Sequence, residues 1–165
     1  MKIGIVGDSH DNLNAIKESI SLLNAEKVDY LLHTGDMVSP FSAKLFLRFD
    51  SKSFFTFGNN DGERLMLKQT LSESENCKLI WPKSTFTINQ YRIVLTHGED
   101  EEIIEALGQS GAFDLIAYGH WHRPVNKKLG NCLVVNPGEL CGYLSGKSTL
   151  AIVDMEKRQT RIIEL

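Results

Sequence analysis

Short apolar runs that end in polar clusters recur along the first half of the chain, with segments of helical period between them. The runs that have strand length cover residues 2–6, 28–33 and 54–57. After the first run, Asn12 is a candidate N-cap, and apolar side chains follow at spacings of three and four residues, at Leu13, Ile16, Ile20 and Leu23. Helical patterns also follow the other two runs, over residues 39–48 and 62–71. This alternation of strand and helix predicts an α/β layer fold.

The second half of the chain has a different pattern. Two alternating segments, residues 85–88 and 91–95, flank the polar turn Asn89-Gln90 and predict an antiparallel hairpin. A short helix around residues 103–107, ending near Gly108 or Gly111, precedes two more apolar runs, at 115–118 and 133–135. Residues 148–153 and 159–164 then predict a closing hairpin. Strands therefore dominate this half.

Length, charge and cysteine usage narrow the class of protein. A chain of 165 residues with 42% hydrophobic content suits a single domain over residues 1–165 with its own core. The net charge of −3 argues against a duplex nucleic-acid binder with a basic face. No apolar stretch of about 18 residues occurs, so no membrane span is expected. The three cysteines have no C-x-x-C spacing, which favours a soluble protein of the reducing cytoplasm.

Five apolar runs end at a glycine with Asp, Asn or His immediately beside it. The potential metal ligands at these strand ends are Asp8, His10, Asp36, Asn59, His97, His120 and His122. Because the functional crevice of an open α/β sheet lies at the carboxyl ends of its strands, these side chains are expected to converge. Glycines at positions 7, 35, 58, 98 and 119 would allow sharp turns and close approach to an ion. Nitrogen and oxygen donors without thiolates suit a divalent ion such as Mn²⁺, Fe²⁺, Co²⁺ or Ni²⁺, with Zn²⁺ permitted. Seven donors suit two ions about 3.5 to 4 Å apart with a shared carboxylate, as in enzymes that displace groups at phosphorus.

Five motifs in order, G-D-S-H at 7–10, G-D at 35–36, G-N-N-D at 58–61, H-G at 97–98 and G-H-W-H at 119–122, resemble those of the calcineurin-like metallophosphoesterase superfamily. The resemblance is strongest to its small single-domain phosphodiesterases of archaea and bacteria, and Asn136-Pro137-Gly138 extends it. It implies a four-layer αββα sandwich of two mixed β-sheets flanked by helices. It also implies that one ion is held by Asp8, His10 and His122, a second by Asn59, His97 and His120, with Asp36 as the bridge.

The activity implied by this resemblance is the hydrolysis of a small phosphodiester, with a hydroxide that bridges the two ions attacking phosphorus. Mn²⁺ and Ni²⁺ are the favoured ions, and Fe, Co, Mg and Zn are compatible. Asp36 and Asn60 are the predicted catalytic residues. Many members of the superfamily have a histidine where this chain has Asn60, and an amide has no acidic proton near pH 7. This departure favours diesters over monoesters; a phosphomonoesterase acting on phosphoproteins or nucleotides, and a non-catalytic scaffold like the retromer subunit of the same fold, are the alternatives.

Residues beside the motifs have simpler interpretations. We expect His33 to be a buried core histidine, Trp121 to cover the pocket, and Arg64 and Arg123 to form surface ion pairs. The acidic run at residues 99–102 is typical of the first turn of a helix, and Glu99 is also a candidate to orient a ligand. A homodimer or larger homo-oligomer is expected, to which an apolar region could contribute: Phe41, Leu45, Leu47 and Phe49.

Overall fold

The computed structural model describes residues 1–165, and its first sheet has six strands in the order β11-β10-β1-β2-β3-β4. These strands are β1 (Lys2–Val6), β2 (Tyr30–His33), β3 (Lys52–Phe55), β4 (Cys77–Leu79), β10 (Thr149–Asp154) and β11 (Gln159–Glu164). Strands β1 to β4 are parallel, with Ile3 in register with Tyr30 and Tyr30 with Lys52. Strands β10 and β11 close the sheet as an antiparallel hairpin beside β1. The sheet is therefore mixed.

The second sheet has five strands in the order β5-β6-β7-β9-β8. They are β5 (Thr85–Ile88), β6 (Tyr91–Leu95), β7 (Leu115–Ala117), β8 (Pro124–Leu129) and β9 (Cys132–Pro137). Strands β6, β7 and β9 are parallel, and the two edge strands β5 and β8 run antiparallel to their neighbours. This sheet is also mixed, so the predicted pair of mixed sheets is confirmed.

Four helices cover the outer faces of the two sheets: α1 (Leu13–Ala25), α2 (Pro40–Phe46), α3 (Arg64–Leu71) and α4 (Glu101–Gln109). The side chain of Asn12 accepts a hydrogen bond from the Ala15 amide and caps α1, as predicted. Pro40 occupies the first turn of α2, where its missing N–H has no partner to lose. Asp100 caps α4, and Gly111 follows that helix with a φ of +69°.

The alternation of side chains along β1 shows how the layers are held together. Ile3 and Ile5 lie in the apolar core between the two sheets, whereas Val6 lies in the core between the first sheet and helices α1 to α3. A third core, around Val94, Ile104 and others, joins α4 to the second sheet. Burial of each large aliphatic side chain contributes about 1.5 to 3 kcal/mol. The chain thus forms the predicted αββα sandwich.

Two edge strands and one apolar region of the structure differ from the predictions made from the sequence. Strands β4 and β8 were not predicted; both are edge strands, and β8 is largely solvated with the sequence PVNKKL. Of the apolar region proposed to support self-association, Leu45 and Phe49 are buried among the helices, so they are unavailable to a partner. Phe41 is 73% exposed. No helix combines the length and apolar character that a bilayer crossing requires.

The topology places the ends of six strands at one edge of the sandwich. The carboxyl ends of β1, β2 and β3 in the first sheet adjoin those of β6, β7 and β9 in the second. Hydrogen bonds join the loops of the two sheets there: the amides of Leu140 and Cys141, after β9, donate to the carbonyls of Gly7 and Asp8 at 3.0 Å. The loops after these strands therefore form one site.

Candidate metal centre

All seven predicted ligands lie in the loops at this edge. Asp8 and His10 follow β1, Asp36 follows β2, Asn59 follows β3, His97 follows β6, and His120 and His122 follow β7. Five of them have a positive φ, namely Asp8 (49°), His10 (37°), Asp36 (57°), His120 (70°) and His122 (54°). Such a conformation is uncommon for a non-glycine residue, although Asn, Asp and His adopt it more often than other residues do. The ligands themselves, and not only the neighbouring glycines, make the sharp turns.

The neighbouring glycines have a more varied role than the sequence suggested. Gly35 and Gly98 do have positive φ values, of +103° and +86°. Gly7, Gly58 and Gly119 do not; there glycine is needed because another loop lies against its Cα. A Cβ on Gly119 would lie 2.6 Å from both Asp8 Oδ2 and Thr34 Oγ1, too close for a normal contact. Gly119 allows the loops of the two sheets to meet, whereas Gly7 and Gly58 allow neighbouring loops of the first sheet to approach each other.

The first group of donors consists of Asp8, His10 and His122, whose ligand atoms all lie within 4.8 Å of one another. Asp8 Oδ1 is 3.6 Å from His122 Nε2, and both Asp8 oxygens accept a hydrogen bond from the His120 amide, at 3.2 and 3.0 Å. The rings of His10 and His122 have centroids 5.2 Å apart. The three side chains that the family resemblance assigns to one ion are therefore adjacent.

The second group consists of Asn59, His97 and His120. Asn59 Oδ1 lies 2.8 Å from His97 Nε2 and 3.0 Å from His120 Nδ1, and the two imidazole nitrogens are 3.3 Å apart. The Nδ1–H of His97 donates to the Thr34 carbonyl at 2.9 Å, which directs Nε2 towards the site. These side chains also converge as predicted.

Asp36 lies between the two groups. Its Oδ2 is 3.5 Å from His10 Nε2 on one side and 3.4 Å from His97 Nε2 on the other. Asn60 donates to the same carboxylate twice, from its amide to Oδ1 and from its side chain to Oδ2, both at 2.7 Å. The side chain of Asn60 thus holds Asp36 in place. This position is the one expected of a carboxylate shared by two ions.

One atom provides a test of whether these residues fit metal ions. His10 Nε2 is buried and has no hydrogen-bond partner, which is rare because an unsatisfied buried polar atom costs about 1 to 3 kcal/mol. It faces Asp36 Oδ2, and the arrangement of nitrogen and oxygen donors around it matches the preferences of divalent first-row metals. The residues therefore fit the metal ions, and their identification as ligands stays a prediction.

The charges at the site are strongly coupled. Burial raises the pKa of Asp8 to about 6. Burial alone would also raise the pKa of Asp36, but hydrogen bonds from His97 and Asn60 hold it well below its usual range. Burial lowers the pKa of His97, yet the hydrogen bond and negative charge of Asp36 outweigh that and raise it to about 9. Without metal, a proton on His97 compensates the carboxylates, so metal binding would release protons.

Two buried carboxylates at the site have roles that the sequence interpretation did not assign. Asp61, the last residue of the G-N-N-D motif, accepts hydrogen bonds from the amides of Asp36, Val38 and Gly58 at 3.0, 2.7 and 2.8 Å, and so ties the loop after β2 to the loop after β3. Glu139, in the loop after β9, contacts His122. Burial tends to raise the pKa of Glu139, but hydrogen bonds from Ser145 and His122 lower it to about 2. In the sequence, the signal for Glu139 was its position as a charged residue within the apolar segment around Asn136-Pro137-Gly138.

His33 is the buried core histidine that the sequence predicts, whereas the covering role of Trp121 stays a prediction. His33 is buried between Phe46 and Phe55, and its Nδ1 accepts from the Gly35 amide at 3.1 Å. Trp121 is 41% exposed and donates to the Gly98 carbonyl at 3.0 Å.

The two arginines and the acidic run beside the motifs behave differently from one another. Arg123 pairs with Glu101 at 2.6 Å, as expected. Arg64 forms no ion pair: it donates to the carbonyls of Asp61 and Gly58, both at 3.0 Å, and lies over two aromatic rings, those of Phe57 and Trp81. Its predicted surface pairing is therefore wrong. The acidic run forms the start of α4, and Glu99 is exposed.

Comparison with known proteins agrees with this geometry. A family model described as the calcineurin-like phosphoesterase superfamily domain matches residues 1–158. The chain is 40% identical over 165 residues to phosphodiesterase MJ0936 of Methanocaldococcus jannaschii, covering 100% of this chain and 99% of the relative. A solved archaeal phosphodiesterase superposes with a TM-score of 0.92 at 39% identity, covering all of both chains. Vps29 of Entamoeba histolytica shares the fold, with a TM-score of 0.69 at 15% identity over 100% of this chain and 99% of that one.

Proposed function

The chain belongs to the calcineurin-like phosphoesterase superfamily, and we propose that it is a phosphodiesterase that works with two divalent metal ions. The observation that carries this proposal is the convergence of seven nitrogen and oxygen donors from five loops, as two groups of three with the Asp36 carboxylate between them. The unpaired and buried Nε2 of His10 supports it further, because a metal ion would supply the missing partner.

The proposed reaction gives each of these residues a distinct role. Asp8, His10 and His122 would hold one ion, Asn59, His97 and His120 the other, and Asp36 would contact both. Bound divalent ions lower the pKa of water and neutralise the charge that develops on phosphate oxygens, and Mn²⁺ or Ni²⁺ suits these donors. In hydrolysis, the oxygen of a water molecule forms a bond to phosphorus while the bond to the leaving-group oxygen breaks. Asn60 holds Asp36 and donates no proton to the leaving group.

The preference for diesters rests on Asn60. General acid catalysis is worth about 10² to 10⁴ in rate, and the amide of Asn60, at the position where many members of the superfamily have a histidine, cannot supply it. Substrates whose leaving group departs without protonation should therefore be favoured. The name phosphodiesterase, carried by the relative with 40% identity, agrees with this preference.

A single comparison tests the proposal. The purified protein is stripped with a chelator, reloaded with Mn²⁺, Ni²⁺, Mg²⁺ or Zn²⁺, and assayed on p-nitrophenyl phosphate and bis-p-nitrophenyl phosphate, which share a leaving group. We expect about two ions per chain by mass spectrometry and faster turnover of the diester. Asp36→Ala should abolish turnover, whereas Asp50→Ala, the same change at an exposed position, should not.

Each other outcome points to a different function. Faster turnover of the monoester would contradict the role given to Asn60 and indicate a phosphomonoesterase. A folded protein that binds no metal and hydrolyses neither ester would contradict the proposal and indicate a scaffold. Retained turnover in a folded Asp36→Ala variant would contradict the assignment of the site.

A further inference from the structure

Glu139 is a buried carboxylate directly behind one of the proposed ligands. It lies in the loop after β9, is 0% exposed, and its Oε2 is 2.7 Å from His122 Nδ1. The opposite nitrogen of the same ring, Nε2, is 3.6 Å from Asp8 Oδ1. The imidazole of His122 therefore lies between two carboxylates, with one of its nitrogens directed at each.

Every other group around the Glu139 carboxylate is a hydrogen-bond donor. The Leu144 amide donates to Oε1 at 3.0 Å and to Oε2 at 3.2 Å, the Ser145 amide donates to Oε1, and Cys141 Sγ donates to Oε2 at 3.1 Å. With donors on all sides, the carboxylate has only acceptor roles. His122 Nδ1 must then carry the proton that it shares with Oε2.

This arrangement fixes which nitrogen of His122 is free. In a neutral imidazole one nitrogen is a donor and the other carries a lone pair, and the partner of the first decides the tautomer. A proton held on Nδ1 by Glu139 leaves the lone pair on Nε2, on the side of Asp8 and His10. Only that tautomer can bind a metal ion in the site.

We propose that Glu139 is a positioning residue that holds His122 in the tautomer and orientation required to bind metal. The inference rests on the proposed function, because it concerns the ion that Asp8, His10 and His122 would share. The competing explanation is purely structural: Glu139 would only fasten the loop of residues 143–146 through the Leu144 and Ser145 amides.

The variant Glu139→Gln separates the two explanations. Its amide oxygen can replace Oε1 and still accept from the Leu144 and Ser145 amides, so the loop keeps these two hydrogen bonds and loses only the longer contact of the Leu144 amide to Oε2. Its amide nitrogen then takes the place of Oε2 and donates to His122 Nδ1, which moves the imidazole proton to Nε2. A role in loop structure survives this change, whereas a role in selecting the tautomer does not. Glu75→Gln, the same change at an exposed position, is the matched control.

The experiment combines two measurements on the wild type and both variants. Nitrogen-15 NMR of chelator-treated protein at pH 8 reports the tautomer of His122, and calorimetric titration with Mn²⁺ and Ni²⁺ reports the affinity of each site. We expect the Nδ1–H tautomer in the wild type and in Glu75→Gln, and the Nε2–H tautomer in Glu139→Gln. Loss of such an outer partner weakens metal binding by about 10 to 100-fold, and we expect that loss at one of the two sites.

The possible failures are distinct. An Nε2–H tautomer in the wild type, or an unchanged affinity in a Glu139→Gln variant whose tautomer has switched, overturns this inference and leaves the proposed function intact. A wild-type protein that binds neither ion overturns both. If Glu139→Gln does not fold, the wild-type spectrum decides: the Nδ1–H tautomer supports the inference and the Nε2–H tautomer refutes it.

Discussion

Replacing Gly119 by alanine tests how closely the loops of the two sheets must approach each other. The new Cβ would lie 2.6 Å from Asp8 Oδ2 and 2.6 Å from Thr34 Oγ1, whereas ordinary contacts begin at 3.4 Å. The carboxylate of Asp8 or the backbone before His120 must therefore move by about 0.8 Å, the difference between those two distances. Overpacking of this kind costs about 1 to 3 kcal/mol. Displacement of a catalytic group by about 1 Å costs about 10²-fold in rate.

Gly62→Ala is the matched control for this prediction. No atom lies within 4 Å of a Cβ at Gly62, and its φ is not positive. Each alanine also removes some freedom from the unfolded chain, worth about 0.4 to 1 kcal/mol, and this contribution cancels between the two variants. The free energy of unfolding of Gly119→Ala should therefore lie about 1 to 3 kcal/mol below that of Gly62→Ala. For a chain of this size, about 2 to 4 °C per kcal/mol makes a difference in melting temperature of about 2 to 12 °C.

The measurements are thermal denaturation, metal content after dialysis, and turnover of bis-p-nitrophenyl phosphate. Gly119→Ala should lose bound metal and about 10²-fold in rate, and Gly62→Ala should lose neither. Equal melting temperatures together with equal metal content in the two variants would refute the reasoning. That result would mean that the contact between the loops is looser than the structure shows.

Three further predictions concern other parts of the site. Burial lowers the pKa of His33 to about 3, whereas the same side chain in the unfolded protein has a pKa of about 6.5. Between these two pH values only the unfolded chain protonates His33. The free energy of unfolding is therefore unaffected by this group above about pH 6.5 and falls by about 1.4 kcal/mol for each pH unit below it. Between pH 6.5 and 5, the free energy of unfolding of chelator-treated His33→Gln, measured in urea, should therefore fall by about 2 kcal/mol less than that of the wild type. An equal dependence of the two free energies on pH would contradict this. Asp61→Ala leaves the buried amides of Asp36 and Gly58 and the half-buried amide of Val38 without a partner, and it should cost about 3 kcal/mol or more, together with the bound metal. A chemical denaturation midpoint close to that of the wild type would exclude the structural role. Metal at 100 times its Kd should raise the free energy of unfolding by about 2.7 kcal/mol, which is about 5 to 10 °C in melting temperature. A thermal denaturation curve that a chelator does not change would count against a bound ion.

The sequence predicted the interior of the fold better than its edges. Strands such as β1 and β10 are buried on both faces, so their apolar runs follow from their position in the sandwich. Strands β4 and β8 lie at sheet edges, and the solvated face of β8 leaves no apolar run to detect. Hydrophobic patterns report burial, and an edge strand is held mainly by backbone hydrogen bonds that any residue except proline can make.

The chain alone predicts which ligand groups reach the site, because parallel strands end at a common edge and every predicted donor follows a strand. The arrangement of those groups depends on the folded structure. That Asp36 lies between His10 and His97, that Asn60 holds it, and that Glu139 lies behind His122 are contacts between residues 17 to 61 positions apart. The contact between Asp36 and His97 depends on how the two sheets pack against each other, and the other contacts depend on which strands are close within one sheet. No local sequence pattern specifies either arrangement. The identity and order of the donors therefore follow from the sequence, whereas their distances, tautomers and charges depend on the fold.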